Sequence, residues 1–161
     1  MHPNEDLLHR LFSALDRHDH RTMASCYHPA ATFRDIAFDL RGSRQIHGMW
    51  HMICKGDIRA TFKVVHANDR EGRVRLVDRY TFGATKIPLK RGRSVRNVID
   101  SRLRFRDGLI IEHRDICDAR AWARSALGGP IGFLAGRIRF LRSHAARKKL
   151  DGFVVNRSEY R

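Results

Sequence analysis

Hydrophobic positions change period partway along the chain. Leu7, Leu8, Leu11, Phe12 and Leu15 recur at i, i+1, i+4, i+5 and i+8, one continuous stripe on a helix. The spacing predicts a helix over 4–17, with Asn4 as N-cap and Glu5 and Asp6 beside the positive helix end. A polar break over 16–20 leads to a short second helix from Thr22, carrying Met23, Ala24, Cys26 and Tyr27 and stopped by Pro29. Residues 31–38 read as a short strand with Asp35 inside it. Gly42 breaks the chain, Ser43 reads as an N-cap, and a third helix runs over 44–54. Its Ile46, Met49, Trp50 and Ile53 share one face, and Gly56 ends it.

From residue 58 the period falls to two. Strands are expected over 58–67, 73–82, 93–106 and 109–118, with a turn at 68–72 and a basic loop at 83–92. Val74, Leu76, Asp78, Tyr80 and Phe82 share one strand face; Val95, Asn97, Ile99, Ser101, Leu103 and Phe105 share another. Arg106-Asp107-Gly108 makes a tight hairpin turn. The returning strand puts His113 and Asp115 on one face and Glu112 and Arg114 on the other. Helical spacing resumes at 119–127, pauses at Gly128-Gly129-Pro130 and returns over 131–150; residues 151–161 read as a weakly ordered tail.

Helices first and hairpin-linked strands afterwards is the α+β order. A curved, mainly antiparallel sheet wrapped around N-terminal helices leaves a cavity between its concave face and the first helix, where small-molecule sites occur. The chain divides into an α+β domain over 1–128 and a basic helical extension and tail over 129–161. At 161 residues it is long enough to bury about two-thirds of its surface.

The inward strand positions carry the chemistry. His113 and Asp115 form a polar pair on a face that looks into the core, with Asp35 as a further carboxylate. Asp78, Tyr80, Asn97, Ser101, Trp50 and Phe12 are expected to line the same pocket. Burial in an apolar cavity disfavours a charged carboxylate and moves it towards the useful range for proton transfer at neutral pH. A neighbouring histidine holds that carboxylate, shares its proton or donates to a developing enolate. The other reading is structural: Asp115 pairs with an arginine, His113 with a backbone carbonyl. His47 and His51, at i and i+4 on the third helix, have a spacing that suits one metal ion but lack an intervening acid; they read as exposed helix surface. No metal or cofactor is expected. Cys26, Cys54 and Cys117 are odd in number, stand in apolar settings and read as small packed hydrophobes, with no disulfide framework or structural zinc site.

Charge changes the picture of partners only. The net charge of +15 rests on 32 Lys and Arg against 17 Asp and Glu. Lys86 to Arg106 and Arg137 to Arg161 are the densest basic stretches, the second interleaved with Phe140 and Leu141. They suit contact with nucleic acid or an anionic membrane. No nucleic-acid motif accompanies them, so a solvated helix face and a charge-defended strand edge is the favoured reading. No apolar run approaches the roughly 20 residues of a membrane helix. The polar, acidic start is unlike a signal peptide, and a reducing cytoplasm fits.

The first helix, then Tyr27-His28-Pro29-Ala30-Ala31-Thr32-Phe33-Arg34-Asp35 and Gly42-Ser43-Arg44-Gln45-Ile46, resembles the opening of SnoaL-like and ketosteroid-isomerase-like proteins of the nuclear transport factor 2-like superfamily. Phe105-Arg106-Asp107-Gly108-Leu109-Ile110 followed by His113-Arg114-Asp115 is similar to that superfamily's closing hairpin, and the likeness covers about 5–128. The resemblance implies a cone-shaped α+β barrel, a homodimer formed through the sheet, and a small apolar or carbonyl-containing ligand. Activities in the superfamily span isomerases, cyclases, epoxide hydrolases and binding proteins, so fold alone does not select one. Asp35 stands near the isomerases' proton-shuttling aspartate. Their oxyanion-hole tyrosine would fall near Leu11, and their protonated aspartic acid where Ser101 faces the pocket. Asp115 is closer to the acid/base aspartate of the polyketide cyclases. The expectation is a cofactor-independent isomerase, cyclase or epoxide hydrolase using Asp115, His113 and Asp35. The alternative is a non-catalytic ligand-binding or dimerisation module with a basic C-terminal surface for anionic partners.

Overall fold

A computed structural model of the chain describes residues 1–83, 85, 86, 89–128 and 139–160, with the side chains of 84–90 and 139–143 left aside. Helix α1 (Pro3–Asp16) buries Leu7, Leu8, Leu11, Phe12 and Leu15, the expected stripe. Its N-cap is His2 rather than Asn4: the His2 ring accepts from the Asn4 backbone N–H. Asn4 is buried instead, its amide donating to the Asn68 carbonyl and tying α1 to a sheet turn. Helix α2 (His20–Ala24) is capped by the Asp19 carboxylate and ends before Cys26. Pro29 does not stop it. Tyr27 and Pro29 already belong to strand β1 (Tyr27–Arg34), because a proline holds the preceding residue extended. Asp35 therefore lies in the turn between β1 and β2 (Asp39–Arg41). Helix α3 (Ser43–Cys54) follows Gly42, whose φ of 87° is the left-handed conformation glycine adopts freely. Gly42, not Ser43, is its N-cap.

Four long strands follow: β3 (Arg59–Ala67), β4 (Glu71–Phe82), β7 (Arg93–Arg106) and β8 (Leu109–Cys117). Between β4 and β7 a pair of two-residue strands, β5 (Thr85–Lys86) and β6 (Leu89–Lys90), forms a separate hairpin. The main sheet has six strands in the order β2-β1-β8-β7-β4-β3. Every pairing is antiparallel except β1 with β8. Asp107 and Gly108, both at positive φ, make the two-residue β7–β8 turn that matches strand twist. Inward positions alternate strictly. Val74, Leu76 and Asp78 on β4, and Val95, Asn97, Ile99, Ser101 and Leu103 on β7, are buried, while Arg73, Arg75, Arg96, Arg102 and Arg104 face out. The outer face of the sheet thus carries a substantial share of the arginines.

The concave face of the sheet wraps α1, and α3 closes one end. The approach of α1 is close. A Cβ on Gly72 would lie 2.8 Å from the Leu8 side chain and 3.0 Å from Phe105. Helix α4 (Ala119–Leu127), N-capped by Asp118, lays Trp122, Ala123 and Ala126 over the end of β7. Helix α5 (Arg139–Val155) then crosses α3: a Cβ on Gly48 would meet Val154 at 2.5 Å. Leu150 is buried in the main core. The expected tail is ordered structure instead. Helix α5 continues to Val155, a 3₁₀ turn spans Ser158–Tyr160, and Tyr160 is 3% exposed. The anchor is an aromatic seat that no local periodicity announces. His51 bonds the Tyr160 hydroxyl at 3.0 Å and meets the Phe153 ring edge-on, and Arg157 lies over Phe153. His47 and His51 are therefore not exposed helix surface: His51 is 4% exposed and stacks on His20, whose Nδ1 lies 2.9 Å from His47 Nε2. Among the described residues no group of three or more His, Cys, Asp or Glu is arranged to hold a metal ion. None of the described helices is long and apolar enough to cross a membrane.

Candidate active site

The cavity left between sheet and helices has a volume of about 680 Å³. Its wall is mostly apolar, with Leu15, Phe33, Phe38, Phe82, Ile99 and Trp122 among its lining. Ala145, Ala146 and Lys149 of α5 complete it. Asp35, Asp57, Asp78 and Asp115 line the same space.

Asp115 reaches the cavity from β8 and is the end of a hydrogen-bond chain. The Ser101 hydroxyl donates to its Oδ1 at 2.5 Å from the neighbouring strand, as the Ser101–Asp115 register requires. His113 Nε2 lies 2.8 Å from the same oxygen. His113 Nδ1 lies 2.7 Å from the Tyr27 hydroxyl, and that hydroxyl accepts from the Trp50 indole N–H at 3.1 Å. An indole only donates. With Asp115 as a carboxylate, an acceptor only, His113 Nε2 is the donor between them, and a neutral ring then leaves Nδ1 to accept the Tyr27 proton. A neutral imidazole accepting at Nδ1 carries its proton on Nε2 and donates it to Asp115. The chain is thereby polarised in one direction, from Trp50 through Tyr27 and His113 to the carboxylate. Oδ2 of Asp115 accepts from none of the described residues and is the oxygen left for a ligand.

His113 itself is fully buried, boxed by Phe12 at 6.1 Å and Phe33 at 4.9 Å, both edge-on. It stands behind Asp115 rather than at the cavity wall. Burial pushes the Tyr27 phenol well above its ordinary range, which keeps it a neutral donor. Phe12 and Ser101, expected as lining residues, are also behind the wall. Phe12 belongs to the core stripe of α1 and packs on Phe62 and His113, and Ser101 is fully buried beneath Asp115. Trp50, Asp78, Tyr80 and Asn97 do line the cavity.

Asp35 approaches from the β1–β2 turn. Its Oδ1 accepts from the backbone N–H groups of Ala37 and Phe38, at 2.7 and 2.6 Å. Burial outweighs those bonds and pushes its carboxyl up to about 6. Asp78 is 7% exposed, and burial pushes it up to about 6 as well, against the pull of Asn97. Its Oδ1 is the one buried side-chain oxygen or nitrogen among the described residues with no hydrogen-bond partner. Beside it the Tyr80 hydroxyl accepts from Trp122 Nε1 at 2.6 Å and from Asn97 Nδ2 at 3.5 Å. Asp57 differs: Thr81 donates to it through both N–H and hydroxyl, and the Thr81 hydroxyl bond foremost holds its carboxyl below the usual range.

Sequence reasoning missed Tyr27, Trp122 and the α5 residues. A signal existed for Tyr27, since the following His28-Pro29 favours extended backbone. Trp122 and α5 arrive through long-range packing that no local pattern encodes.

The SnoaL-like domain family matches residues 8–113. No curated protein matches the chain. Among solved structures, an LEH-like epoxide hydrolase of M. tuberculosis superposes with a TM-score of 0.61 at 16% identity, covering 83% of this chain and 96% of that one. A candidate polyketide cyclase from Silicibacter reaches 0.67 at 18% identity, over 76% and 94%. IdmH from Streptomyces antibioticus, also a candidate polyketide cyclase, reaches 0.63 at 25% identity, over 80% and 100%. An α+β barrel of this strand order, with helices on its concave face and a family match across most of its length, belongs to the SnoaL-like domain family.

Proposed function

We propose that the protein is a cofactor-independent acid/base enzyme acting on a small, largely apolar ligand, with Asp115 as base and Asp35 as the second carboxylate. The observation that carries this reading is the polarised chain ending on Asp115. Two donors on Oδ1 fix the carboxylate in place and leave Oδ2 for the cavity. A base of this kind takes a proton from the carbon next to a carbonyl, and the C–H electron pair passes to the carbonyl oxygen as an enolate. Asp35, with its carboxyl near 6, carries a proton in a usable fraction at neutral pH and gives it to that oxygen. The same division of labour serves epoxide opening: Asp115 takes a proton from water, the water oxygen attacks carbon, and Asp35 protonates the departing epoxide oxygen. His113 and Ser101 are positioning residues for Asp115. The structural alternative, an arginine partner for Asp115, has no support among its hydrogen bonds.

Two probes test the reading. Deuterium exchange at the carbon next to the carbonyl of 2-tetralone, followed by NMR, reports proton abstraction; diol formation from styrene oxide reports hydrolysis. Acceleration of either by the protein, lost in Asp115→Asn with the fold retained, is the expected result. Equal rates for wild type and Asp115→Asn would remove the assignment.

A further inference from the structure

The cavity has a second polar corner that the acid/base reading does not use. Asp78, Tyr80 and Phe82 stand at i, i+2 and i+4 on the inward face of β4, and Trp122 of α4 closes over them, edge-on to Phe82 at 5.4 Å. The corner thus combines three aromatic rings with a carboxylate whose Oδ1 is buried and unpartnered. Asp78 lines the cavity while its Oδ1 is closed off without a donor, which leaves the carboxylate poorly solvated. No arginine is among the described lining residues, and Lys149, exposed on α5, is the one base against four aspartates. The interior is therefore acidic although the chain as a whole carries +15. A neutral hydroxyl leaves the repulsion among Asp35, Asp78 and Asp115 in place. A protonated amine offsets that repulsion and the poorly solvated Asp78 charge, and its N-alkyl groups suit the aromatic rings.

We infer that the Asp78 corner is a recognition site for an alkylammonium group, and that the ligand is an apolar molecule bearing a basic nitrogen. The inference rests on the cavity of the proposed function and names the class of its ligand; Asp78 is a specificity-determining residue.

Calorimetric titration with N,N-dimethylbenzylamine, its neutral isostere isobutylbenzene and the anion phenylacetate tests it. The amine is expected to bind about tenfold more tightly than the hydrocarbon, with phenylacetate weakest. Asp78→Asn removes the preference for the amine and keeps the affinity for isobutylbenzene. In the wild type, which needs no variant to fold, the preference falls as the pH drops through about 6, where Asp78 takes up its proton. Asp35 titrates in the same range and Asp115 and Lys149 share the cavity, so the variant assigns the change to Asp78. Equal affinity for amine and hydrocarbon, a preference for the anion, or an amine preference that survives in Asp78→Asn overturns the inference. Amine preference in a protein inert towards both reaction probes would sink the acid/base reading alone. Failure of all three ligands to bind would sink the ligand cavity and this corner together.

Discussion

His113 and Asp115, two residues apart on one strand, share a single oxygen with a serine from the next strand: His113 Nε2 and Ser101 Oγ both bond Asp115 Oδ1. Two donors on one oxygen divide the work of holding it. Ser101→Ala should therefore leave a folded protein, destabilised by about 1 kcal/mol, with a lower kcat and a little-changed KM for whichever probe is turned over. The serine hydroxyl is a positioning group and a thermal melt with a rate measurement separates the two effects. A rise in KM with unchanged kcat would place Ser101 in ligand binding instead.

Removing the histidine is harsher. His113→Phe leaves the Tyr27 hydroxyl, buried against Trp50, without its acceptor and takes one donor from Asp115. A loss of about 1–3 kcal/mol is expected from the orphaned groups. Denaturant unfolding measures it. Adding Tyr27→Phe exchanges the unmet hydroxyl for an unmet Trp50 indole N–H, so the double variant should recover little; recovery of most of the loss would mean that the indole finds another acceptor.

Asp78 should oppose stability at neutral pH. Its carboxyl is raised to about 6 in the fold and returns to the ordinary range near 4 on unfolding. The unfolded chain releases this proton more readily, so stability falls as the pH rises from about 4 to 6 and stays lower above. Asp78→Asn is accordingly expected to raise Tm near neutral pH, by a gain on the order of 1–3 kcal/mol, and to leave it unchanged near pH 4. A neutral-pH loss of stability would show that the charge is compensated inside the fold.

The histidine stack under α5 has the opposite proton logic. Burial lowers His20, His47 and His51, the last to about 4, with Arg21, Arg157 and Lys55 adding to the depression and Glu159 and Asp19 opposing it. The neutral rings are the packed ones. Their contribution is whole above the unfolded value of about 6.5 and is lost as the pH falls from there towards 4. Hydrogen exchange should show α5 and the 158–160 turn losing protection between about pH 7 and pH 5 ahead of the sheet. Loss at the same rate as β4 and β7 would refute a separate clasp.

Gly48→Ala tests the same contact by packing. A Cβ there meets the Val154 side chain at 2.5 Å, so the contact between α3 and α5 must give. A cost of about 1–3 kcal/mol is expected, with faster tryptic cleavage at Lys148 and Lys149. Unchanged cleavage would mean that Val154 moves aside without disturbing the helix.

The sheet and the β8 pair were legible because strand geometry enforces period two. Asp78, Asn97, Ser101, His113 and Asp115 fall inward once the register of the Asp107-Gly108 turn is set. Depth was not legible. Alternation names a face but not whether a residue on it touches the cavity or the layer behind, and so Phe12 and Ser101 were expected at the wall and stand behind it. Residues joined across long chain separations were invisible for a different reason. Tyr27 meets His113 across 86 residues and Tyr160 meets His51 across 109, and neither distance leaves a local pattern.

The chain has two tryptophans, and each belongs to a different polar cluster of the cavity, one holding Asp115 and the other Asp78. Trp50 leads through Tyr27 and His113 to Asp115, while Trp122 and Asn97 both donate to the Tyr80 hydroxyl in the corner that holds Asp78. The protein thus carries its own optical readout. With Trp122→Phe the remaining emission follows events on the Asp115 side, and with Trp50→Phe it follows the Asp78 side. A single unlabelled sample of each would show which end of the chamber a ligand or a proton reaches first.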